Sequence, residues 1–351
     1  MNVLANTLLY VAKPSHQYVT PDGSRLLLLP YGARVLGLYA AGSDENFFWT
    51  HPDLNDLGSA GSYFESSDWH NTGGDRTWLA PEVDVFFPNY PATDVYRIPA
   101  EVDPGNYSAV KPGGMLRLVA PFSITLWRGT TQVRGRITKS WNPAPNPLRF
   151  DAIWKALSGV AYAGYTQQTS LELLPGQSPI QLGLWSLLAV PQGGELLVPT
   201  YHRVAPEIYS GPIATDELVA TSHLIRFSMR GTGIQKIGIP AVASTGRIGA
   251  LYPNGGDWAL VVRNFVVDPS GAYVDVPWNN PSARGEFVYS TQACRVNNHF
   301  GTYCELEYHT AAIGMDATRL RSDDTSQVWA FRGSLDAMRK IAKLLISEDM
   351  N

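Results

Sequence analysis

Two glutamates near the carboxyl end of the chain are spaced in a way that suits proton transfer. Glu305 and Glu307 belong to the segment YCELEYHT, and residues two apart in a strand point to the same face. Tyr303 and His309 fall on that face as well, whereas Leu306 points the other way. Because neighbouring carboxylates oppose each other's ionisation, one of the two pKa values is expected to rise into the range useful for general acid–base catalysis. A solvated strand face with ordinary exposed acids is the alternative interpretation.

A second polar segment, TGGDRTWLAPE at residues 72–82, starts with a pair of glycines. Glycine adopts backbone conformations closed to other residues, so a sharp turn is expected at 73–74. Arg76 and Trp78 share one face of the strand that follows, and Asp75 is close enough in sequence to pair with Arg76. An indole beside charged groups suits a sugar, because apolar C–H faces stack on the ring and hydroxyl groups bond the charges. The alternative is an ordinary strand whose tryptophan belongs to the core.

The remaining reactive residue types form no known motif. The seven histidines lack HxH or HExxH spacing, so no metal centre is expected. His202 and His309 are the two histidines expected to act as acids, if an acid is needed. The sequence contains no GxSxG elbow, P-loop or strand-linked GxGxxG. Cys294 and Cys304 flank a turn-like NNHFG and are expected as reduced thiols, able to face each other across a hairpin.

Strands must position these residues. Segments of period two, bounded by glycine, proline and asparagine, recur along the 351 residues and predict an all-β fold. Helical periodicity is confined to a C-terminal helix over 334–347, capped by Ser334, and to a short helical turn in DAIWKALSG. A single domain over residues 1–351 is expected, since large all-β domains commonly stay single at this size.

Composition excludes several function classes. Charged residues make up 17% of the chain and the formal net charge is −4. Without a run of Lys or Arg, neither nucleic acid nor a membrane surface is an expected partner. No signal peptide and no apolar segment of transmembrane length is evident, so a cytoplasmic protein is expected. The sequence carries no signal for the oligomeric state.

Four motifs, taken in order, resemble the landmarks of galactose mutarotase-like proteins, in particular a bacterial aldose-1-epimerase-like branch. They are GGDRTWLAPE, PIQLGLWSLLAVPQGGELLVP, WALVVRNFVVDPSGAYVDV and GTYCELEYHT, and the likeness covers most of residues 20–332. The resemblance implies an antiparallel supersandwich with a concave face that binds a small-molecule sugar and uses no cofactor.

The resemblance also implies roles for individual residues. In aldose 1-epimerases a glutamate takes the proton of the anomeric hydroxyl and a histidine protonates the ring oxygen, so that the ring opens and closes again. The pair Leu306–Glu307 matches the strand that carries the family's glutamate, which makes Glu307 the expected base, with His202 or His309 as the acid. The residues expected to bind the substrate are Asp75, Arg76, Trp78, Trp185, Arg263 and Glu305.

Two positions depart from the family pattern. The strand LGLWSLL carries Trp185 and lacks the family's histidine, and Asp75 stands beside the glycines where the family often has a histidine. Loss of a general acid typically lowers the rate by orders of magnitude. A carbohydrate-binding protein without catalysis is therefore the alternative to an aldose 1-epimerase-like isomerase. Glycoside cleavage ranks last, because two acids at i and i+2 project in parallel and do not flank a bond from opposite sides.

Overall fold

Two large antiparallel sheets form the protein, which confirms the all-β fold predicted by the period-two segments and the antiparallel supersandwich implied by the resemblance. The computed structural model describes residues 3–110, 116–176, 179–280, 289–315 and 319–350. Within these residues one sheet has nine strands, in the order β1-β2-β3-β4-β9-β18-β17-β14-β11, and the other has ten, in the order β12-β13-β10-β15-β16-β19-β8-β7-β6-β5. The strands are β1 (His16–Val19), β2 (Arg25–Leu29), β3 (Arg34–Tyr39), β4 (Asp75–Ala80), β5 (Ser108–Val110), β6 (Arg117–Leu126), β7 (Thr131–Pro143), β8 (Ala161–Leu173), β9 (Gly183–Val190), β10 (Glu195–Pro199), β11 (Glu207–Ser210), β12 (Leu218–Ala220), β13 (Leu224–Ser228), β14 (Gly233–Pro240), β15 (Arg247–Asn254), β16 (Asp257–Asn264), β17 (Tyr289–Asn298), β18 (Gly301–His309) and β19 (Arg321–Gly333).

The main core lies where the inner faces of the two sheets meet. Leu188 and Leu306 come from the nine-stranded sheet, and Val261 and Ala330 come from the ten-stranded sheet. All four side chains are fully buried. The chain crosses between the sheets more than once, because β8 and β10 belong to the ten-stranded sheet while β9 belongs to the other. The period-two pattern predicts these three strands but does not assign them to different sheets.

Five short α-helices and one 3₁₀ helix (Pro52–Asn55) accompany the sheets within the described residues. The α-helices are α1 (Val3–Tyr10), α2 (Leu57–Glu65), α3 (Glu82–Val85), α4 (Ala152–Ala156) and α5 (Leu335–Leu345). The predicted C-terminal helix is confirmed as α5, and the Ser334 hydroxyl accepts a hydrogen bond from the Ala337 amide at its start. The predicted turn in DAIWKALSG is α4. None of the helices in the described ranges is long and apolar enough to cross a membrane.

The helices α1 and α2 were not predicted from the sequence. The segment of α2, LGSAGSYFE, contains two glycines and little helical periodicity. It forms because the Asp56 carboxylate caps the amides of Gly58 and Ser59, and because Ala60 packs into a cluster with residues of β2. Capping and tertiary packing therefore override a weak local preference.

The two cysteines lie on neighbouring strands but do not face each other. In the β17–β18 register Cys294 is opposite Glu305, and Cys304 is opposite Arg295. Residues offset by one position point to opposite faces of a sheet. Both cysteines are buried and free. The expected hairpin and reduced thiols are confirmed, but the expected face-to-face arrangement is wrong.

The glycine pair forms a sharp turn immediately before β4. Gly73 and Gly74 have φ values of 84° and 72°, a conformation that favours glycine. The Gly74 amide donates a hydrogen bond to the Trp49 carbonyl at 2.9 Å. A Cβ atom on Gly74 would lie 2.4 Å from the Val35 carbonyl oxygen, so the turn requires close backbone approach as well as positive φ.

We expect Gly74→Ala to destabilise the protein more than Gly42→Ala. Gly42 has a similar φ of 69° but open space around its Cβ position, so it carries the conformational cost without the clash. The clash should lower the free energy of unfolding by an additional ~1–3 kcal/mol, measured by urea denaturation. Equal losses in the two variants would contradict close packing at this turn.

Candidate functional site

A cavity of about 490 Å³ lies on the nine-stranded sheet, on the face turned away from the other sheet. We call it the inner cavity. Alternate residues of five neighbouring strands reach it, with loop residues closing the sides. The strand residues are Arg76 and Trp78 of β4, Trp185 and Leu187 of β9, Tyr303, Glu305 and Glu307 of β18, Cys294 and Val296 of β17, and Ile234 and Lys236 of β14. This size is within the range of about 300–1,000 Å³ typical of small-molecule sites.

A buried lysine joins two carboxyl groups in this cavity. Lys236 Nζ lies 2.9 Å from Glu82 Oε2 and 3.3 Å from Glu307 Oε2. It also lies over the Trp185 ring, 4.2 Å from the centroid. Lys236, Glu82 and Glu307 each expose no more than 2% of their surface. One buried cation therefore serves two buried carboxyl groups.

Burial and charge shift the pKa of Glu307. Burial raises the pKa of this carboxyl to about 8, with Glu305 and Glu82 adding to the rise and Lys236 opposing it. The Trp185 indole N–H donates a 2.8 Å hydrogen bond to Glu307 Oε2, which favours the ionised form. A carboxyl group with such a pKa gains and loses a proton near pH 8.

Glu82 is the second titratable carboxyl of the cavity. Burial raises its pKa, Lys236 opposes that rise, and Asp275 adds to it. Tyr96 and Trp278 donate hydrogen bonds to its two oxygens, at 2.9 and 2.8 Å. The Glu82 amide, at the start of α3, donates to Asp275 at 2.7 Å, which fixes the position of the helix.

The second charged pair consists of Arg76 and Glu305, 2.6 Å apart. Burial lowers the pKa of Arg76, but Glu305, together with Tyr303 and Asp103, raises it above its ordinary value. The guanidinium lies 4.3 Å from the centroid of the Trp78 ring. Arg76 and Trp78 share one face of β4, and Glu305 and Glu307 share one face of β18. The alternation of side chains along each strand predicts both arrangements.

Asp75 and Arg263 lie outside the cavity. They form a fully buried ion pair in which the closest atoms are 2.8 Å apart, and Tyr165 donates a 2.6 Å hydrogen bond to Asp75. The expected pairing of Asp75 with Arg76 is wrong, because consecutive residues in a strand point to opposite faces. The pair connects β4 of one sheet to β16 of the other.

The structure brings neither of the two expected acid histidines to the cavity wall. His309 is stacked on Trp185, with ring centroids 5.6 Å apart, and is not among the described residues that line the cavity. Burial, with a contribution from Lys236, holds its pKa well below the usual value, so the ring is neutral. His202 is exposed, between β10 and β11, and its ring nitrogen contacts the Arg203 carbonyl.

Two residues of the cavity, Glu82 and Lys236, are not predicted from the sequence. Glu82 ends the segment TGGDRTWLAPE, but the hypothesis built on that segment used only its first residues. Lys236 is the charged residue of the strand GIQKIGIP. A single lysine among apolar residues in a strand was the available signal, because burial of an ammonium group requires a partner of opposite charge.

Three donor atoms in the cavity lie close enough to surround a cation. One ligand atom each from Cys294, Glu305 and Glu307 falls within 4.8 Å of the others. However, Arg76 and Lys236 already neutralise the two carboxylates. Burial, with Glu307, raises the Cys294 pKa well above its ordinary value, so the thiol keeps its proton. This donor set fits a metal ion poorly.

The fold is that of galactose mutarotase-like proteins. A galactose mutarotase-like protein from Lactobacillus casei ATCC 334 superposes with a TM-score of 0.51 at 7% identity, over 90% of this chain and 99% of that one. A galactose mutarotase related enzyme from Lactobacillus acidophilus (TM-score 0.45, 7% identity, 91% and 97% covered) and a galactose 1-epimerase from Lactobacillus acidophilus NCFM (0.34, 9%, 91% and 94%) superpose too loosely to support an argument. No protein-family model and no curated protein matches the chain. At these identities the likeness shows the fold alone.

We expect Asp75→Asn to destabilise the protein strongly, since it leaves the buried Arg263 without a counter-charge. Breaking such a pair lowers the free energy of unfolding by ~3–5 kcal/mol. The control is Glu172→Gln, which breaks a half-exposed pair with Arg136 and should change stability by less than ~1 kcal/mol. Urea denaturation measures both. Similar losses would show that Asp75 has no special structural role.

Proposed function

We propose that the protein binds a reducing sugar in the inner cavity and acts as an aldose 1-epimerase-like isomerase. The observation that supports this proposal is the pair of buried carboxyl groups, Glu82 and Glu307, that both contact one lysine. Ring opening of a hemiacetal needs one group that takes a proton and one that gives a proton. Two carboxyl groups with raised pKa values around a single cation supply one of each.

In the proposed reaction Glu307 is the base. It takes the proton of the anomeric hydroxyl, the O–H electron pair forms the C1=O double bond, and the C1–O5 bond breaks toward the ring oxygen. Glu82, protonated, gives its proton to that oxygen. After rotation about C1–C2 the carbonyl presents its other face, and the same steps run in reverse. The proton count is unchanged over a full cycle.

Glu82 takes the role that the resemblance gave to a histidine. Its carboxyl oxygen contacts the same ammonium group as Glu307, and both glutamates line the inner cavity, where the hemiacetal would bind. Lys236 keeps its positive charge, because the pKa-lowering effect of burial is exceeded by the pKa-raising effect of Glu307, Glu82 and Asp275. A fixed cation there also stabilises whichever carboxyl group is ionised at a given step.

The aromatic residues of the cavity support a sugar as the ligand. Trp78, Trp185 and Trp278 all line it. Their rings offer apolar faces to the C–H groups of a pyranose, while the charged residues between them offer hydrogen bonds to its hydroxyls.

A carbohydrate-binding protein without turnover is the second candidate. It is favoured by the contacts that Glu307 already makes: Lys236 and the Trp185 indole N–H both occupy Oε2 of this carboxyl. A carboxylate held by internal partners binds a hydroxyl well but is a weaker base.

We expect Glu307→Gln and Glu82→Gln each to lower the rate of catalysed anomer interconversion by ~10²–10⁴-fold, because a carboxamide keeps the shape of the side chain but transfers no proton. Polarimetry or NMR exchange with a panel of aldoses measures the rate, and titration calorimetry measures affinity, which should stay within a few-fold. Glu172→Gln, far from the cavity, is the control. Wild-type protein that binds a sugar without turnover would support the second candidate, and full activity in either cavity variant would refute that residue's role.

We expect kcat/KM to rise with pH through about 8, as Glu307 loses its proton and becomes a base. Lys236→Met removes a charge that lowers this pKa, so the rise should move to higher pH. Glu305→Gln removes a charge that raises it, so the rise should move to lower pH. Shifts in the same direction, or none, in the pH–rate profiles would contradict Glu307 as the titrating group.

A further inference from the structure

A second cavity, of about 780 Å³, adjoins the first. We call it the outer cavity. Five residues line both cavities and form a shared wall: Trp69, Val95, Tyr96, His299 and Phe300. The remaining residues of the outer cavity come from α2, from the segments that flank it and from the stretch after Tyr96. They include His51, Asp53, Tyr63, Ser67, Asp68 and Arg97.

The shared wall is built mainly of aromatic rings in mutual contact. Trp69 packs edge-on against Trp78, with centroids 5.4 Å apart, and against Phe300 at 5.7 Å. Tyr96 packs against Phe300 at 6.3 Å. A ring wall reached from two cavities offers each of them an apolar surface, which suits two linked sugar units.

Two residues that line the outer cavity carry buried polar atoms. The Trp69 indole nitrogen and the Tyr63 hydroxyl are buried, and neither has a hydrogen-bond partner among the described residues. Buried polar groups are normally paired, so unpaired ones indicate a ligand or water at the site. Both belong to residues that line the outer cavity, and both suit a hydroxyl-bearing group.

The charge of the outer cavity favours a neutral ligand over a phosphate. Asp53 and Asp68 contribute two negative charges, against the single guanidinium of Arg97. Burial lowers the pKa of His51, which reduces its positive charge at neutral pH, with Asp53 opposing the shift. A phosphate group would meet two carboxylates and only one fixed cation.

We propose that the substrate is an oligosaccharide of at least two units, with its reducing-end unit in the inner cavity and the next unit in the outer cavity. This inference rests on the proposed function for the inner site and adds the class of sugar. A monosaccharide in the inner cavity would contact only one side of the aromatic wall and would leave the polar residues of the outer cavity without a ligand.

Titration calorimetry with matched sugars tests the inference. The probes are glucose against maltose, cellobiose and lactose, galactose against galactobiose, and mannose against mannobiose, with glucose 6-phosphate as the charged alternative. At least one disaccharide should bind about tenfold or more tightly than its reducing-end monosaccharide, a difference of about 1.4 kcal/mol. Equal affinities throughout, or tightest binding of the phosphate, would overturn the inference.

A blocking variant locates the second unit. Ser67 is exposed and lines only the outer cavity, so Ser67→Trp should abolish the disaccharide advantage and leave monosaccharide affinity unchanged. Ser62→Trp is the matched control, since Ser62 is an exposed serine on α2 that does not line either described cavity. An unchanged disaccharide advantage in Ser67→Trp would overturn the placement.

The outcomes separate this inference from the proposed function. Catalysed interconversion of monosaccharides with no disaccharide advantage would leave the isomerase standing and refute the oligosaccharide. Disaccharide binding that Ser67→Trp removes, without turnover, would support the oligosaccharide and refute the isomerase. Absence of binding to every sugar in the panel would refute both.

Discussion

The buried ion pair between Asp75 and Arg263 is the contact on which the candidate site depends. It lies between the two sheets and fixes which face of β4 turns inward. Because side chains alternate along a strand, holding Asp75 in the core sends Arg76 and Trp78 to the opposite face, into the cavity. A slip of one residue would bury Arg76 in an apolar core and expose Asp75. The glycine turn at 73–74 comes immediately before β4 and allows the strand to begin with Asp75 facing the core.

Much of the fold is predictable from the sequence because strands and helices leave patterns among residues that are close together in the chain. A period of two is visible in strands such as β6, β7 and β18, so these strands, the shared face of Glu305 and Glu307, and that of Arg76 and Trp78 follow from neighbouring residues. Ser334 and the apolar stripe after it predict α5 for the same reason. The resemblance to galactose mutarotase-like proteins supplied the architecture that the strands alone leave open.

The rest depends on contacts between distant parts of the chain. Glu82 and Lys236 are 154 residues apart, and the sequence around either residue does not predict their contact. The assignment of β9 to a different sheet from β8 and β10 is equally non-local. Proximity in sequence was also misleading for Asp75 beside Arg76 and for the facing of Cys294 and Cys304, where strand geometry separates near neighbours.

The hydroxyl of Tyr96 holds Glu82, while the ring of the same residue belongs to the wall between the cavities. A sugar unit bound in the outer cavity would therefore contact Tyr96, the residue that orients Glu82, the proposed proton donor. In the proposed isomerase a longer sugar would then be converted faster as well as bound more tightly, because contact energy gained far from the reacting carbon is expressed at the transition state. The protein would then distinguish long sugars from short ones by how fast it converts them, even at concentrations that saturate both.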